Sequence, residues 1–270
     1  MERQIIGRGL LAGALAGVLA FVFARIFVEP VIERAIGYED GVGAAQEAVE
    51  AASGQGGHDH GVELFTRGVQ ANIGMGFGVL AFSVAMGALF AVVFAVAHGR
   101  VGSVSARVLS VLVAGGMLLS LYVVPTLKYP ANPPAVSLDE TIRQRTLLYL
   151  LMVVVSAALL VGAVYLGRRL VSRLGTWNAT LAAAGSYLVA IAVVMLVLPT
   201  IDEVPGPLRD DAGNVVLGGF PADDLYEFRL YSLGVQVVMW VTIGLVFAAL
   251  ISKVLDGRRS RADSTFGPRG

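Results

Sequence analysis

Cysteine is absent from all 270 residues, which excludes disulfides, thiolate metal ligands and a thiol nucleophile. Any transition metal held by this chain must be met by nitrogen and oxygen, with methionine sulfur a weak addition. Charge is scarce too. Asp, Glu, Lys and Arg make up 15% of the residues against 56% for the hydrophobic set, and the mean hydropathy is +0.74. A water-soluble domain could not cover such a composition with a solvated shell, so the sequence reads as a membrane protein. No G-x-x-x-x-G-K-[ST] occurs, which removes nucleotide hydrolysis by a P-loop, and nucleic acid is not an expected partner. No charge lies near the centre of any apolar run. The midplane carboxylate relay of proton-coupled carriers is therefore missing, which favours a facilitator or a subunit working with a partner over a self-sufficient pump.

What remains is long hydrophobic runs. A bilayer core about 30 Å thick needs roughly 20 apolar residues in a helix. Six stretches qualify, near Ile5–Val28, Ile73–Ala97, Val108–Leu127, Thr146–Leu166, Ala179–Leu198 and Leu230–Ile251. The expectation is an all-α integral membrane protein, a bundle of six transmembrane helices spanning residues 1–252. Gly9, Gly13 and Gly17 lie four apart, as do Gly74 and Gly78, and predict faces on which helices pack closely. Residues 29–72 read as a long loop, with a short helix over Ala44–Ala52. Residues 253–270 read as a basic tail without fixed structure.

Orientation follows from the basic residues. With the N-terminus inside, twelve of the 20 Lys and Arg residues fall on inner segments, and all but three of the 20 acids (Glu2, Asp256 and Asp263) fall outside. This places both termini in the cytoplasm of a cell whose inner membrane the chain crosses. Lys128, Arg143 and Arg145, in the second outer loop, are the exception, and such charges need a task or a partner. Val124-Pro-Thr-Leu127 is echoed by Leu198-Pro-Thr-Ile201, each before a Pro-rich loop. Three duplicated, outward-pointing hairpins would account for this, and so would convergent chemistry at a membrane boundary.

Three features could carry chemistry. His58-Asp59-His60, flanked by glycines, offers imidazoles to a divalent metal, or is a polar loop in which histidines happen to be close. Carboxylates cluster at the expected outer helix ends: Glu29, Asp202, Glu203 and Glu227 are the candidate metal ligands, with Arg25, Lys128, Arg143, Arg145 and Arg229 available as counter-charges. Finally, Pro125-Thr-Leu-Lys-Tyr-Pro-Ala-Asn-Pro-Pro134 is too proline-rich for a helix and could line a vestibule with carbonyls and the Asn132 amide. Lys128, Asn132, Arg145, Arg229, Gln70 and Gln236 are the candidate pathway or structural residues.

Read together, Glu29-Pro30, the His-x-His loop, Arg67-x-x-Gln70, Pro125-x-x-Lys-Tyr-Pro-Ala-Asn-Pro-Pro134, Arg145-Thr-x-x-Tyr149, Pro199-x-x-Asp-Glu-Val-Pro205 and Phe228-Arg-x-x-Ser232 closely resemble the CbtA family. The resemblance covers roughly Gly9 to Leu250. It implies a cobalt transporter subunit with no resident cofactor, transported Co²⁺, and a small single-span, His-containing partner called CbtB. The family is usually described with five spans, against six expected here. Membrane lipids and a second copy of the chain are further expected partners. The same carboxylates, with Lys128 or Arg229 on a phosphate, could instead serve an enzyme acting on a lipid or polyprenyl headgroup, or the chain could be a non-transporting assembly subunit.

Overall fold

A computed structural model describes residues 2–53, 67–102, 104–136 and 139–265. In chain order the elements are α1 (Glu2–Phe23), α2 (Glu29–Ser53), α3 (Arg67–Val69), α4 (Met75–Ala97), α5 (Ala106–Leu118), α6 (Val124–Lys128), α7 (Asp139–Val197), the strands β1 (Leu208–Arg209) and β2 (Val215–Leu217), and α8 (Ala222–Thr265). Among the described residues, five helical stretches are long and apolar enough to cross a bilayer. The last helix continues beyond the expected end of its span at Ile251 to Thr265.

Three five-residue π segments, Ala24–Val28, Gln70–Gly74 and Leu119–Val123, join α1 to α2, α3 to α4 and α5 to α6. Two of them have a clear cause. Pro30 and Pro125 stand at the second position of the helix that follows, where the ring would clash with the carbonyl four residues back and offers no N–H to it. Widening the preceding turn accommodates the ring without ending the helix. This changes the expected course of the chain after the first apolar run. The chain does not leave the helix at Val28 but stays helical to Ser53, so residues 29–53 are an extension of the first helix and not a loop.

α7 is 59 residues long, about 90 Å at the helical rise and far more than one bilayer crossing. It is broken at Gly175, whose φ of 73° and ψ of 167° lie outside the helical region in a conformation reserved for glycine. The Ser156 and Tyr187 hydroxyls meet at 2.7 Å, and a Cβ placed on Gly167 would come within 3.1 Å of that of Ala183. Residues before and after the break therefore lie side by side in opposite directions. The two arms contain the residues expected to form the fourth and fifth spans. Val124, Tyr129, Met152, Tyr187 and Ile191 form the apolar cluster that joins them to α6.

The chain divides into two compact units whose boundaries include the first and third π segments. The first comprises Met1–Phe23, Arg67–Leu118 and Gly234–Gly270. Its main packing is α1 against α4, and it depends on missing side chains. A Cβ on Gly87 would collide with the Gly9 carbonyl and one on Gly13 with the Ser83 carbonyl, while Gly17 faces Leu80 at 3.0 Å. The expected glycine stripe on α1 is thus correct, but its partner is Leu80–Ser83–Gly87. Gly78 has open space beside it and Gly74 only a carbonyl at 3.8 Å. Phe247 of α8 packs edge-on against Phe90 and Phe94, with centroids 5.0 and 4.9 Å apart. In lipid no hydrophobic force draws helices together, so this close van der Waals contact supplies the association.

The second unit comprises Ala24–Thr66 and Leu119–Leu233. It holds the Pro-rich segments, and Ala35, Val136, Phe220 and Leu225 form a small core where they meet α2 and the start of α8. Residues 208–217, within the Pro-rich loop expected after Ile201, form an antiparallel hairpin. Asp210 closes it by accepting hydrogen bonds from the Asn214 N–H at 2.7 Å and its amide at 3.0 Å. Those bonds hold the Asp210 carboxyl below its ordinary range. The closure is present above the usual aspartate pKa and fades as pH falls through the lowered value.

Replacing Gly87 with Leu forces α1 and α4 apart and is expected to cost about 3 kcal/mol, the upper end for overpacking. Gly78→Leu should leave thermal unfolding in detergent unchanged. Equal melting temperatures for the two variants would contradict the assigned interface.

Candidate functional site

Residues 129–136 leave the helix because four prolines stand between Pro125 and Pro134, and the carbonyls they strand need donors, particularly beside a bilayer. The structure supplies them one by one. Tyr149 donates to Leu121 O at 3.0 Å, the carbonyl that Pro125 cannot bond. Tyr129, at the end of α6, donates across to Pro199 O at 2.8 Å. Arg145, in the second turn of α7, donates to Pro130 O, and Arg229 of α8 to Ala131 O at 3.3 Å. Pro133 to Val136 close a turn in which Ala135 takes a φ of +69°.

The same two arginines organise the polar centre. Glu203 is 5% exposed. Its Oε2 accepts from Arg145 at 2.9 Å and from the Asn132 amide at 3.0 Å, and its Oε1 from Thr141 at 2.5 Å. Arg229 donates to the other end of the Asn132 amide at 3.0 Å, so the orientation of that amide is fixed by a guanidinium on its oxygen and a carboxylate on its nitrogen. The result is a closed chain, Arg229–Asn132–Glu203–Arg145, in which the carboxylate is paired and fully hydrogen-bonded, as burial of a charge demands. Four of the expected residues, Asn132, Arg145, Glu203 and Arg229, are brought together here.

A second ion-pair group lies on α2. Arg34 donates to Asp224 at 2.6 Å and to Glu227 at 2.5 Å, one helical turn from Tyr38, whose hydroxyl donates to Gly218 O and whose ring packs on Phe220. Arg34 and Tyr38 thus fasten the extension of the first helix to the start of α8. Neither residue was among those singled out from the sequence. Their signal, Val31, Arg34, Ala35 and Tyr38 at helical spacing, was legible only if residues 29–53 were read as helix. Thr141 was missed as well.

The remaining candidates are dispersed. Glu29 is buried in the first turn of α2, and Asp202 is exposed, its Oδ1 accepting from the Val204 N–H at 3.4 Å. Gln70 and Gln236 belong to the other compact unit. His58 and His60 lie outside the described residues. Among the described residues, no three His, Asp or Glu side chains are gathered as a metal centre requires. Beside the Arg145 pair is a groove of about 320 Å³ with predominantly apolar walls. An apolar groove with a guanidinium in its wall does not offer oxygen ligands to a divalent cation.

A family model described as a probable cobalt transporter subunit (CbtA) matches residues 2–252. The chain belongs to the CbtA family. The CbtA match takes in both compact units, the hairpin of α7 and the whole Glu203 cluster. No curated protein and no solved structure matches the chain.

Because Glu203 is buried and paired, Arg145→Met should destabilise the protein by about 3–5 kcal/mol, the cost of leaving a buried charge without its partner. Thr141→Val removes the hydrogen bond to that carboxylate and should cost less, about 2 kcal/mol. Thermal unfolding of both variants in the same detergent checks the order, and an Arg145→Met protein as stable as Thr141→Val would show that the pair is not what holds the Pro-rich segment.

Proposed function

We propose that the chain is a subunit of a membrane transport system for cobalt, or a similar divalent cation, that crosses the cytoplasmic membrane six times with both termini inside. The observation that carries this reading is family membership over residues 2–252, joined to five long apolar helices. The sixth crossing is supported by the glycine break in α7, whose arms Asp139–Leu174 and Thr176–Val197 each exceed the roughly 20 residues a span requires. The orientation is supported by charge. Arg168, Arg169 and Arg173 stand on the tip of this hairpin, and 17 of the 20 acids stand on the opposite segments, where they would raise the local cation concentration.

Glu203 and Glu227 are engaged by arginines, which supports a structural role for them. Metal contact is therefore assigned to His58 and His60 for capture, and to Asp202 and Glu29 for transfer. An exposed ligand such as Asp202 suits passage better than retention. The lack of charge inside the spans and the lack of a gathered ligand set among the described residues favour a pathway completed by a partner, and a single-span CbtB-like subunit fits that requirement.

Uptake of radioactive cobalt into cells expressing the chain with its partner should exceed uptake with the partner alone. The combined replacement of His58, His60 and Asp202 by Ala should lower it several-fold at limiting cobalt while leaving the amount of folded protein intact. Undiminished uptake in that variant would remove the ligand assignment, and no gain from the chain at all would remove the transport reading. Orientation has its own assay, helped by the absence of native cysteine. Asp211→Cys should react with an impermeant maleimide on intact cells, and Thr176→Cys only after permeabilisation. The reverse pattern would invert the topology.

A further inference from the structure

The groove beside Arg145 has a composition that the transport reading does not use. Tyr122, Tyr129 and Tyr149 form much of its wall, and the hydroxyls of Tyr129 and Tyr149 are already spent on Pro199 O and Leu121 O respectively. The wall therefore presents little free hydrogen-bonding capacity, and its occupant must be largely apolar. Along its open side run Ile142, Thr146 and Leu150, all exposed, with Ile142 at 51% and Leu150 at 53%. These residues belong to the first arm of α7, whose most apolar stretch is only 11% buried by protein, so the medium against this side is the bilayer.

The second observation is electrostatic. Lys128 and Arg143 stand at the same end of α6 and α7 as Tyr129 and Ile142, immediately adjacent to groove residues in sequence. Neither makes a hydrogen bond or ion pair among the described residues. Of the three cations that depart from the charge bias of this side, Arg145 is accounted for by Glu203, whereas these two have no such pair among the described residues. Glu140, one turn further out on α7, is likewise exposed and makes no ion pair with either. An apolar groove open to lipid, with two cations next in sequence to its lining residues Tyr129 and Ile142 and without an ion pair among the described residues, matches the order of parts in a phospholipid: chain, then phosphate.

We propose that this groove binds a glycerophospholipid, with one acyl chain lying against the three tyrosine rings and the phosphate drawn to Lys128 and Arg143. The bound lipid would fill the side of α6 and α7 that protein leaves open and would neutralise the two cations. The proposal rests on the membrane location of the chain and is independent of which ion is transported.

Native mass spectrometry of the full chain in detergent, titrated with phosphatidylglycerol, tests it. One lipid should bind per chain. Diacylglycerol with the same chains, which lacks the phosphate, should bind about thirtyfold more weakly, as should phosphatidylglycerol to Lys128→Gln/Arg143→Gln, taking about 1 kcal/mol for each cation. Thr146→Trp should abolish binding by filling the groove, and Thr146 makes only a local bond to Ile142 O, so its loss breaks no tertiary contact. Glycerophosphoglycerol, the headgroup without chains, should fail to bind. Diacylglycerol held as tightly as phosphatidylglycerol would overturn the assignment of the two cations, and full lipid binding to Thr146→Trp would overturn the groove. A disulfide formed in membranes between two copies carrying Leu150→Cys would overturn lipid as the occupant and place a second chain there.

Discussion

Backbone carbonyls that cannot find water must find donors inside the protein, and much of this chain's polar architecture is the answer to that constraint. Prolines at 30 and 125 widen a helical turn, and those at 130, 133, 134, 199 and 205 stand in segments outside the helices, so in both settings carbonyls are left without a helical partner. Tyr129, Tyr149, Arg145 and Arg229 are the donors that meet four carbonyls there. Once two guanidiniums are committed at a half-buried boundary they need counter-charge, and the Glu203 carboxylate with the Asn132 amide supplies it. The ion pair is thus secondary to the prolines. This also accounts for Arg145, one of the three basic residues that the charge bias of its side would exclude: its work is to satisfy the loop, and its sign is compensated locally.

Elsewhere the same economy is reached by opposite means. In the first compact unit helices meet without polar glue, because α1 and α4 carry glycines where they touch and the backbones themselves are in van der Waals contact. In the second, helices and loops diverge and the gaps are bridged by long side chains. The boundaries between the two regimes include the π segments at 24–28 and 119–123, where a proline has already loosened the helical ladder. A helix that widens by one residue per turn shifts the faces of everything beyond it, so the residues after each π segment present a different stripe from those before. A single helical period cannot describe both.

That shift explains which parts of the molecule could be read in advance. Apolar runs of about 20 residues and the Gly9-Gly13-Gly17 stripe depend on local composition, and both were legible. Pairing partners were legible in part: Arg145 stands near Asn132 and Thr141 in sequence, but its carboxylate comes from residue 203, and only the density of Pro and Asp-Glu at both places hinted at it. The extension of the first helix to Ser53 was not legible, since Glu29-Pro30 after an apolar run has the form of a helix stop and nothing local distinguishes a stop from a π-widened continuation. With that helix hidden, Arg34 and its hold on Asp224 and Glu227 were hidden too, and Glu227 passed for a free ligand. Likewise Asp210 passed for one more outer acid, whereas it closes the turn of a hairpin that its short Val-Val-Leu strand scarcely announces.

The consequence for a cation pathway is a matter of supply. A divalent ion that sheds water needs several oxygen or imidazole ligands at once, and in the second unit the carboxylates most deeply placed for that duty are Glu29 and Glu203. Glu203 already accepts three hydrogen bonds, and to release it for a metal would strand Arg145 and Arg229 and with them the carbonyls of residues 130 and 131. The energetic cost of recruiting it is therefore the cost of dismantling the Pro-rich segment, of the order of the several kcal/mol that follow from breaking a buried pair. A transport subunit built this way gains a rigid boundary and gives up an internal ligand. Its ligands must then come from residues outside the cluster or from another chain, and the description of the family as a subunit is what such a division of labour requires.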